Sequence, residues 1–182
     1  MVSSLKFVGN TPIYKIDKTN IFVKLEKYNL GGSVKDRAVL GMLEEAKRQG
    51  KVNSNTIIVE PTSGNTGIAV AILASVLGLK AVVIMPESMS VERRTLIKAY
   101  GAQLILTPKE LGIKGSIDKA AEIREKYDNA ISLSQFDNPA NPAYHYATTA
   151  KEILEQVPDL DIFVAGVGTG GTFSGVAKYL KE

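Results

Sequence analysis

The sequence predicts an α/β protein in which helices cover both faces of a mostly parallel, doubly wound sheet. From about residue 56 onward, short runs typical of strands alternate with longer segments of helical periodicity. Residues 57–59 and 81–84 are uninterrupted apolar runs, as expected for central strands that are buried on both faces. No internal repeat or low-complexity segment competes with this interpretation.

The elements follow in order along the chain. Residues 11–16 and 20–25 predict two short strands joined by Asp17-Lys18-Thr19, and hence a hairpin. The later strands are predicted at 56–60, 80–85, 103–107, 130–133 and 161–166. The later helices are predicted at 64–77, 90–100, 116–127, 142–156 and from Gly171 onward.

Composition limits the class of protein. The chain has 182 residues, 45% of them hydrophobic, which is enough for a packed core. No apolar run approaches the ~20 residues of a membrane span, and the N-terminus lacks the apolar core of a signal peptide. The net charge of +3 is spread along the chain without a basic stripe. We therefore expect a cytoplasmic protein with no membrane or nucleic-acid partner.

Two residue types limit the possible chemistry. The absence of cysteine excludes disulfides, thiolate nucleophiles and cysteine-based metal sites. His145 is the only histidine, so a multi-histidine metal site is excluded and any Ser-His-Asp triad would have to use this residue. No metal ion is expected.

Lys35 is the candidate catalytic residue. Ser33 lies three residues before Asp36, and apolar residues follow at helical spacing, so Ser33 is predicted to cap a helix that runs to about Gly50. Lys35 then lies in the first turn, where the helix dipole and any burial disfavour the charged ammonium. A lysine amine of this kind can form a Schiff base with a carbonyl substrate or with pyridoxal phosphate. The alternative is a solvated lysine at an exposed helix start.

The segment 60–67 (EPTSGNTG) follows a predicted central strand and begins a helix. Its glycines allow a close approach of the backbone to a ligand, and its hydroxyl groups and helix N–H groups together favour an anion. Asn65 adds an amide group. The alternative is an ordinary capped turn, because Ser, Thr and Asn all cap helices.

A second glycine-rich segment, 166–172 (GVGTGGT), also follows a predicted strand and precedes a helix, so it could seat a phosphate. Its glycines satisfy the dinucleotide fingerprint G-x-G-x-x-G, which makes a nicotinamide-binding protein a rival. The acidic residue that would bind the ribose about 20 positions further on has no counterpart before Glu182. The lysine of a nucleotide triphosphatase loop is also missing.

Five motifs in this order resemble one family. They are NLGGSVKDR (29–37), EPTSGNTG (60–67), MP (85–86), QFDNPANP (135–142) and GTGGT (168–172). Their order and spacing are similar to those of the pyridoxal-phosphate family of cysteine synthase and cystathionine β-synthase, and most of all to its cysteine synthases, the O-acetylserine sulfhydrylases.

The resemblance implies a tryptophan-synthase-β-like fold of two lobes. Residues 1–37 would contribute to the larger lobe, 38–143 would form the smaller lobe, and 144–182 would begin the remainder of the larger lobe. Because relatives continue well beyond Glu182, the larger lobe is expected to be incomplete. Strand 161–166 would then form an open edge, and Val176 and Leu180 would face missing core.

The resemblance also implies roles for individual residues. Lys35 matches the lysine that holds pyridoxal 5'-phosphate as a Schiff base and then moves the substrate's α-proton. The implied cofactor-binding residues are Lys35, Asn65, Gly168, Thr169, Gly170, Gly171 and Thr172. The implied substrate-binding residues are Thr62, Ser63, Gly64, Asn65, Thr66 and Gln135.

The implied reaction is β-replacement on a serine derivative. In its simplest form O-acetylserine loses acetate to give an aminoacrylate, and sulfide then adds to form cysteine. One alternative is a cysteine-consuming reaction that releases hydrogen sulfide, as in cysteine desulfhydrases and in lanthionine or cystathionine synthases. Another is a non-catalytic fragment or binding module. The implied partners are an amino-acid substrate, sulfide or a thiol, a second copy in a homodimer, and the C-terminal tail of a serine acetyltransferase.

Overall fold

The structure is a computed structural model that describes residues 4–182. The strands are β1 (Ile13–Lys15), β2 (Phe22–Lys24), β3 (Ile57–Pro61), β4 (Lys80–Pro86), β5 (Gln103–Thr107) and β6 (Ala130–Ile131). The helices are α1 (Lys35–Arg48), α2 (Asn65–Leu77), α3 (Val91–Ala99), α4 (Gly112–Lys126), α5 (Ala140–Tyr144), α6 (Ala150–Gln156) and α7 (Gly171–Lys181). A π-helical turn, His145–Thr149, connects α5 to α6.

The chain divides into two compact units. The first contains the residues up to Met42 together with Gln135–Glu182, and the second contains Leu43–Ser134. None of the helices within residues 4–182 combines the length and apolar character needed to cross a lipid bilayer.

The second unit is built on a four-stranded sheet in the order β5-β4-β3-β6, and every neighbouring pair is parallel. Val59, Val82 and Ile84 pack with Ala120 of α4 on one face. Val83, whose side chain points to the opposite face, lies against Gly67 of α2. Helices therefore cover both faces, and the predicted doubly wound α/β fold is confirmed.

The first unit contains the predicted hairpin. Strands β1 and β2 pair antiparallel, with Ile13 opposite Lys24 and Lys15 opposite Phe22. Helix α7 packs against the continuous helical segment that runs from Ala140 to Gln156. Four of the five later strands and all five later helices lie where the sequence placed them, although α4 begins at Gly112 instead of Ser116.

Two expectations about the end of the chain are wrong. Residues 161–166 form no strand, and the side chains of Ile162 and Val164 are 77% and 84% exposed. A strand needs a hydrogen-bonding neighbour, and within residues 4–182 none pairs with this segment. Val176 does not lack packing: it is fully buried against Ala150 and Ile153 of α6, and Leu180 packs against the same cluster.

Candidate active site

Lys35 is the first residue of α1, and two side-chain contacts hold the loop before it. The Ser33 hydroxyl accepts a hydrogen bond from the Lys35 backbone N–H at 3.2 Å. The Asp36 carboxylate reaches back and accepts one from the Gly31 N–H at 2.5 Å. The predicted cap at Ser33 is confirmed, and the loop geometry fixes where the lysine side chain begins.

The Lys35 side chain suits amine chemistry. It is half-buried, and burial lowers the pKa of its ammonium group from the usual 10.5. A lowered pKa increases the fraction of neutral amine, which is the nucleophilic form. The alternative of a fully solvated lysine at an exposed helix start does not describe this residue.

Asp36 is a buried carboxyl group next to the candidate lysine. Burial raises its pKa to about 6, although the backbone N–H groups of Gly31 and Ser33 act in the opposite direction. Its Oδ1 atom is buried and has no hydrogen-bond partner among the described residues. The carboxylate form of Asp36 is therefore held at the start of α1 at an electrostatic cost.

A buried ion-pair cluster surrounds Arg37, two residues after Lys35. Its guanidinium group is fully buried and contacts Glu26 Oε2 at 2.7 Å and Glu152 Oε1 at 2.6 Å. Lys24 Nζ lies 2.9 Å from Glu152 Oε2 and completes the cluster. The cluster ties the start of α1 to β2 and to α6. Sequence reasoning missed it because Arg37 and Glu152 are 115 positions apart.

The glycine-rich segment 168–172 leads into α7, and two glycines set how closely that helix packs. A Cβ atom at Gly171 would lie 2.1 Å from Asn141 Oδ1, and one at Gly175 would lie 2.3 Å from the Pro142 carbonyl oxygen. Both positions therefore need glycine for the close approach of α7 to the segment that begins with α5. The start of α7 is buried at Gly171, whereas Gly168 is exposed.

The two threonines of this segment each contact the helical segment 140–149. Asn141 Nδ2 donates a hydrogen bond to Thr169 Oγ1 at 3.1 Å and another to the Gln135 carbonyl oxygen at 3.0 Å. Thr172 Oγ1 lies 3.2 Å from His145 Nε2. The structure thus links Gln135 to the predicted phosphate segment through Asn141, to which the sequence analysis assigned no role.

His145 is almost completely buried and has both ring nitrogens engaged. Its Nδ1 atom lies 2.8 Å from Thr149 Oγ1, one helical turn further along the chain. Burial, with the positive charges of Arg37 and Lys35, lowers the pKa of the imidazole to about 4, and only Glu26 acts against this shift. The ring is therefore neutral at pH 7. Its partners are threonine hydroxyls, not the serine and carboxylate of a triad.

The second unit contains the segment 62–66, at the carboxyl end of β3 and the start of α2. Thr62 is buried, and its hydroxyl accepts a hydrogen bond from the Gly64 N–H at 3.2 Å. Thr66 is also buried. Ser63 and Asn65 are exposed, so their polar groups are accessible to a ligand. The end of a parallel strand followed by a helix start is where α/β proteins bind ligands.

Glu60, the last buried residue before this segment, holds the end of β6. Its Oε2 atom accepts hydrogen bonds from the Leu133 N–H at 3.0 Å and the Ser132 hydroxyl at 3.1 Å. Burial raises the pKa of the carboxyl group, and these donors oppose the shift. The side chain replaces the sheet hydrogen bonds that end after Ile131.

The first unit carries polar groups whose chemistry suits a phosphoryl group and an aldehyde. Thr169 Oγ1 already accepts a hydrogen bond from Asn141, so its own proton can be donated to an anion. The first N–H groups of α7 favour negative charge, and a Cβ atom added at Gly168 would meet no atom within 4 Å. Lys35 supplies an amine with a lowered pKa. These groups match the phosphate and the aldehyde of pyridoxal phosphate.

Comparison with known proteins agrees with this chemistry. Residues 5–182 match the family described as pyridoxal-phosphate dependent enzyme. A cysteine synthase of Flavobacterium sp. is 51% identical over 186 residues, which cover 99% of this chain and 61% of that protein. The chain therefore spans about three fifths of the length of this relative.

Solved structures show the same fold. A hydrogen sulfide-producing enzyme from Fusobacterium nucleatum superposes with a TM-score of 0.93 and 44% identity, covering 98% of this chain and 61% of that one. An O-acetylserine dependent cystathionine beta-synthase from Helicobacter pylori gives a TM-score of 0.91 and 42% identity, covering 100% and 62%. The chain belongs to the family of pyridoxal-phosphate dependent enzymes, and it is similar to the cysteine synthases among them.

Proposed function

We propose that this protein is a pyridoxal-phosphate dependent enzyme of cysteine synthesis. The proposed reaction is β-replacement, in which O-acetylserine and sulfide give cysteine and acetate. The observation that carries the proposal is Lys35, a half-buried amine of lowered pKa at the capped start of α1. The similarity to cysteine synthases supports the substrate.

In this proposal most of the cofactor-binding residues belong to the first unit. Lys35 is the attachment point for the aldehyde carbon and later carries the α-proton of the substrate. The hydroxyls of Thr169 and Thr172, with the backbone of Gly168, Gly170 and Gly171, bind the phosphoryl group. When bound, pyridoxal phosphate supplies the electron sink that stabilises negative charge at the substrate's α-carbon.

The proposed substrate contacts are hydroxyl, amide and backbone groups that suit a carboxylate. They are Thr62, Ser63, Gly64, Asn65, Thr66 and Gln135. Asn65 is also proposed to contact the cofactor's ring oxygen. Charge-assisted hydrogen bonds of this kind are roughly twice as strong as neutral ones, so they can fix the orientation of the amino acid.

A second reaction fits one of the comparisons, although no better than the first. The Fusobacterium nucleatum neighbour is described as a hydrogen sulfide-producing enzyme. This protein could use the same residues to consume cysteine and release sulfide, since the leaving group lies at the same β-carbon. A third possibility, a binding module without catalysis, keeps the fold and forms no product.

The remaining proposals rest on the resemblance to the family. The full-length protein works in the cytoplasm as a homodimer, and the C-terminal tail of a serine acetyltransferase is a further partner. Sulfide or a thiol is the second substrate.

One assay separates these functions. The protein with added pyridoxal phosphate is supplied either with O-acetylserine and sulfide or with cysteine alone, and Lys35→Ala is the control. Cysteine and acetate formation that Lys35→Ala abolishes supports the main proposal, whereas sulfide release from cysteine as the faster reaction favours the second. Cofactor binding without formation of either product supports the third function, a binding module without catalysis.

A further inference from the structure

His145 bridges two threonines of the first unit, the buried Thr149 and the half-buried Thr172. Its Nε2 atom lies 3.2 Å from Thr172 Oγ1, and its Nδ1 atom lies 2.8 Å from Thr149 Oγ1. Distances alone leave two arrangements of the protons, because a neutral imidazole carries one N–H and a hydroxyl can donate or accept.

The choice follows from what Thr172 must do. A hydroxyl has a single proton, so a threonine that donates to a phosphoryl oxygen cannot also donate to His145. Thr172 must then accept a hydrogen bond from His145 Nε2–H. Nδ1 then carries no proton and accepts a hydrogen bond from the Thr149 hydroxyl. The three residues form a chain in which every donor points toward the phosphate.

We propose that His145 is a positioning residue for a phosphoryl group: its neutral Nε2–H tautomer, set by Thr149, holds the Thr172 hydroxyl so that the hydroxyl proton points into the segment 168–172. This inference rests on the proposed binding of pyridoxal phosphate. It adds two residues, His145 and Thr149, that the motifs did not assign to the site.

Thr169 shows the same arrangement with a side chain that has no tautomers. Its hydroxyl accepts a hydrogen bond from Asn141 Nδ2, whose two protons are fixed donors. In this scheme both threonine hydroxyls of the segment accept a hydrogen bond from an N–H group of the helical segment 140–149. Each hydroxyl therefore keeps its own proton to donate. Two hydroxyls prepared in the same way indicate a ligand that carries acceptor oxygens only, as a phosphate dianion does.

Burial makes this chain of hydrogen bonds effective. His145 is 1% exposed and Thr149 is 3% exposed, so water does not compete for their polar atoms. Thr149 lies four residues after His145 in the π-helical turn, which puts its hydroxyl beside Nδ1. The neutral charge state of the ring matches this scheme, since burial with Arg37 and Lys35 nearby lowers the pKa of His145 to about 4.

The first experiment determines the tautomer directly, without cofactor. Because His145 is the only histidine, imidazole ¹⁵N signals of the protein come from one residue. We expect a single Nε2–H tautomer that does not titrate between pH 6 and 8, and a larger Nδ1–H population in Thr149→Val, which removes the donor to Nδ1. An Nδ1–H tautomer in the wild-type protein overturns the proposal.

The second experiment compares the affinities for pyridoxal phosphate and for pyridoxal, which lacks the phosphoryl group. We expect His145→Leu to weaken pyridoxal phosphate binding by roughly 3- to 10-fold and to leave pyridoxal binding unchanged. His145→Gln, which keeps an N–H donor, should restore most of the loss. In a Thr172→Val background, His145→Leu should cause no further loss.

The outcomes separate this inference from the proposed function. Equal weakening of both ligands, or an unchanged ratio of the two affinities, makes His145 a purely structural residue and refutes the inference. A wild-type protein that binds neither ligand contradicts the proposed function instead. The tautomer measurement then still decides the role of His145 toward Thr172. If His145→Leu does not fold, Thr149→Val provides the same affinity comparison.

Discussion

Arg37 and Glu152 form a buried ion pair with 2.6 Å between Nη1 and Oε1, joining the start of α1 to α6. The guanidinium group also contacts Glu26 and the Thr11 hydroxyl. Burial opposes ionisation of Glu152, but the hydrogen bonds from Arg37, the Asn10 backbone and Lys24 lower its pKa to about 2. Both charges are thus held inside the first unit by each other, close in sequence to Lys35.

Removing one partner should leave the other charge buried and unpaired. We expect Arg37→Met to lower the free energy of unfolding by roughly 3–5 kcal/mol, measured by urea denaturation. The exposed pair of Arg48 and Glu45 provides the control, and Arg48→Met should leave the denaturation midpoint unchanged within error. If Arg37→Met also left the denaturation midpoint unchanged, the buried contacts of Arg37 would not contribute to stability.

His145 should make the stability depend on pH. Its pKa is about 4 in the folded protein against the usual 6.5, so the folded state binds the proton less readily. The contribution of the neutral imidazole to the free energy of unfolding is complete above pH 6.5. Roughly 3 kcal/mol of it is lost as the pH falls toward 4.

The sign is tested by a difference between variants. The pKa of Asp36 is raised to about 6, so this group acts in the opposite direction and stabilises the fold as the pH falls from 6. The measured quantity is the unfolding free energy of the wild type minus that of His145→Gln. Both proteins contain Asp36, so its contribution cancels in this difference. This difference should shrink between pH 7.5 and pH 4, and a difference independent of pH contradicts the assignment.

Glycine at position 175 should be required for packing. In Gly175→Ala the new Cβ would meet the Pro142 carbonyl oxygen at 2.3 Å, and a backbone atom cannot move aside cheaply. We expect a loss of roughly 1–3 kcal/mol in unfolding free energy, despite the better helix propensity of alanine. Ser174→Ala, an exposed neighbour on α7, is the matched control and should be neutral or slightly stabilising.

Ser63 should affect substrate binding without affecting stability. Its side chain is exposed at the start of α2, so Ser63→Ala removes no buried contact. If its hydroxyl binds the substrate carboxylate, the variant should raise the KM for the amino-acid substrate by roughly tenfold with an unchanged melting temperature. An unchanged KM would remove Ser63 from the proposed substrate contacts.

Local signals in the sequence were enough for most of the fold. The cap at Ser33 depends on residues within one helical turn, and the central strands depend on apolar runs whose burial needs no knowledge of their partners. The same reasoning placed the start of α7 at Gly171, because glycines followed by residues at helical spacing are a local pattern.

The missed features depend on residues far apart in the sequence. The contact of Arg37 with Glu152 is set by where α6 lies, and no local pattern connects positions 37 and 152. Likewise, His145 meets Thr172 only because Gly175 allows α7 to approach. The predicted strand at 161–166 failed for a related reason, since a strand is defined by its neighbour as well as by its own residues.

The most direct test of the account is to locate the cofactor. The protein is incubated with pyridoxal phosphate, reduced with borohydride and digested, and the modified peptide is identified by mass spectrometry. We predict that the pyridoxyl group is on Lys35, and that Lys35→Ala abolishes both the label and the visible absorbance. Labelling of another lysine with the visible absorbance retained in Lys35→Ala would contradict the central assignment.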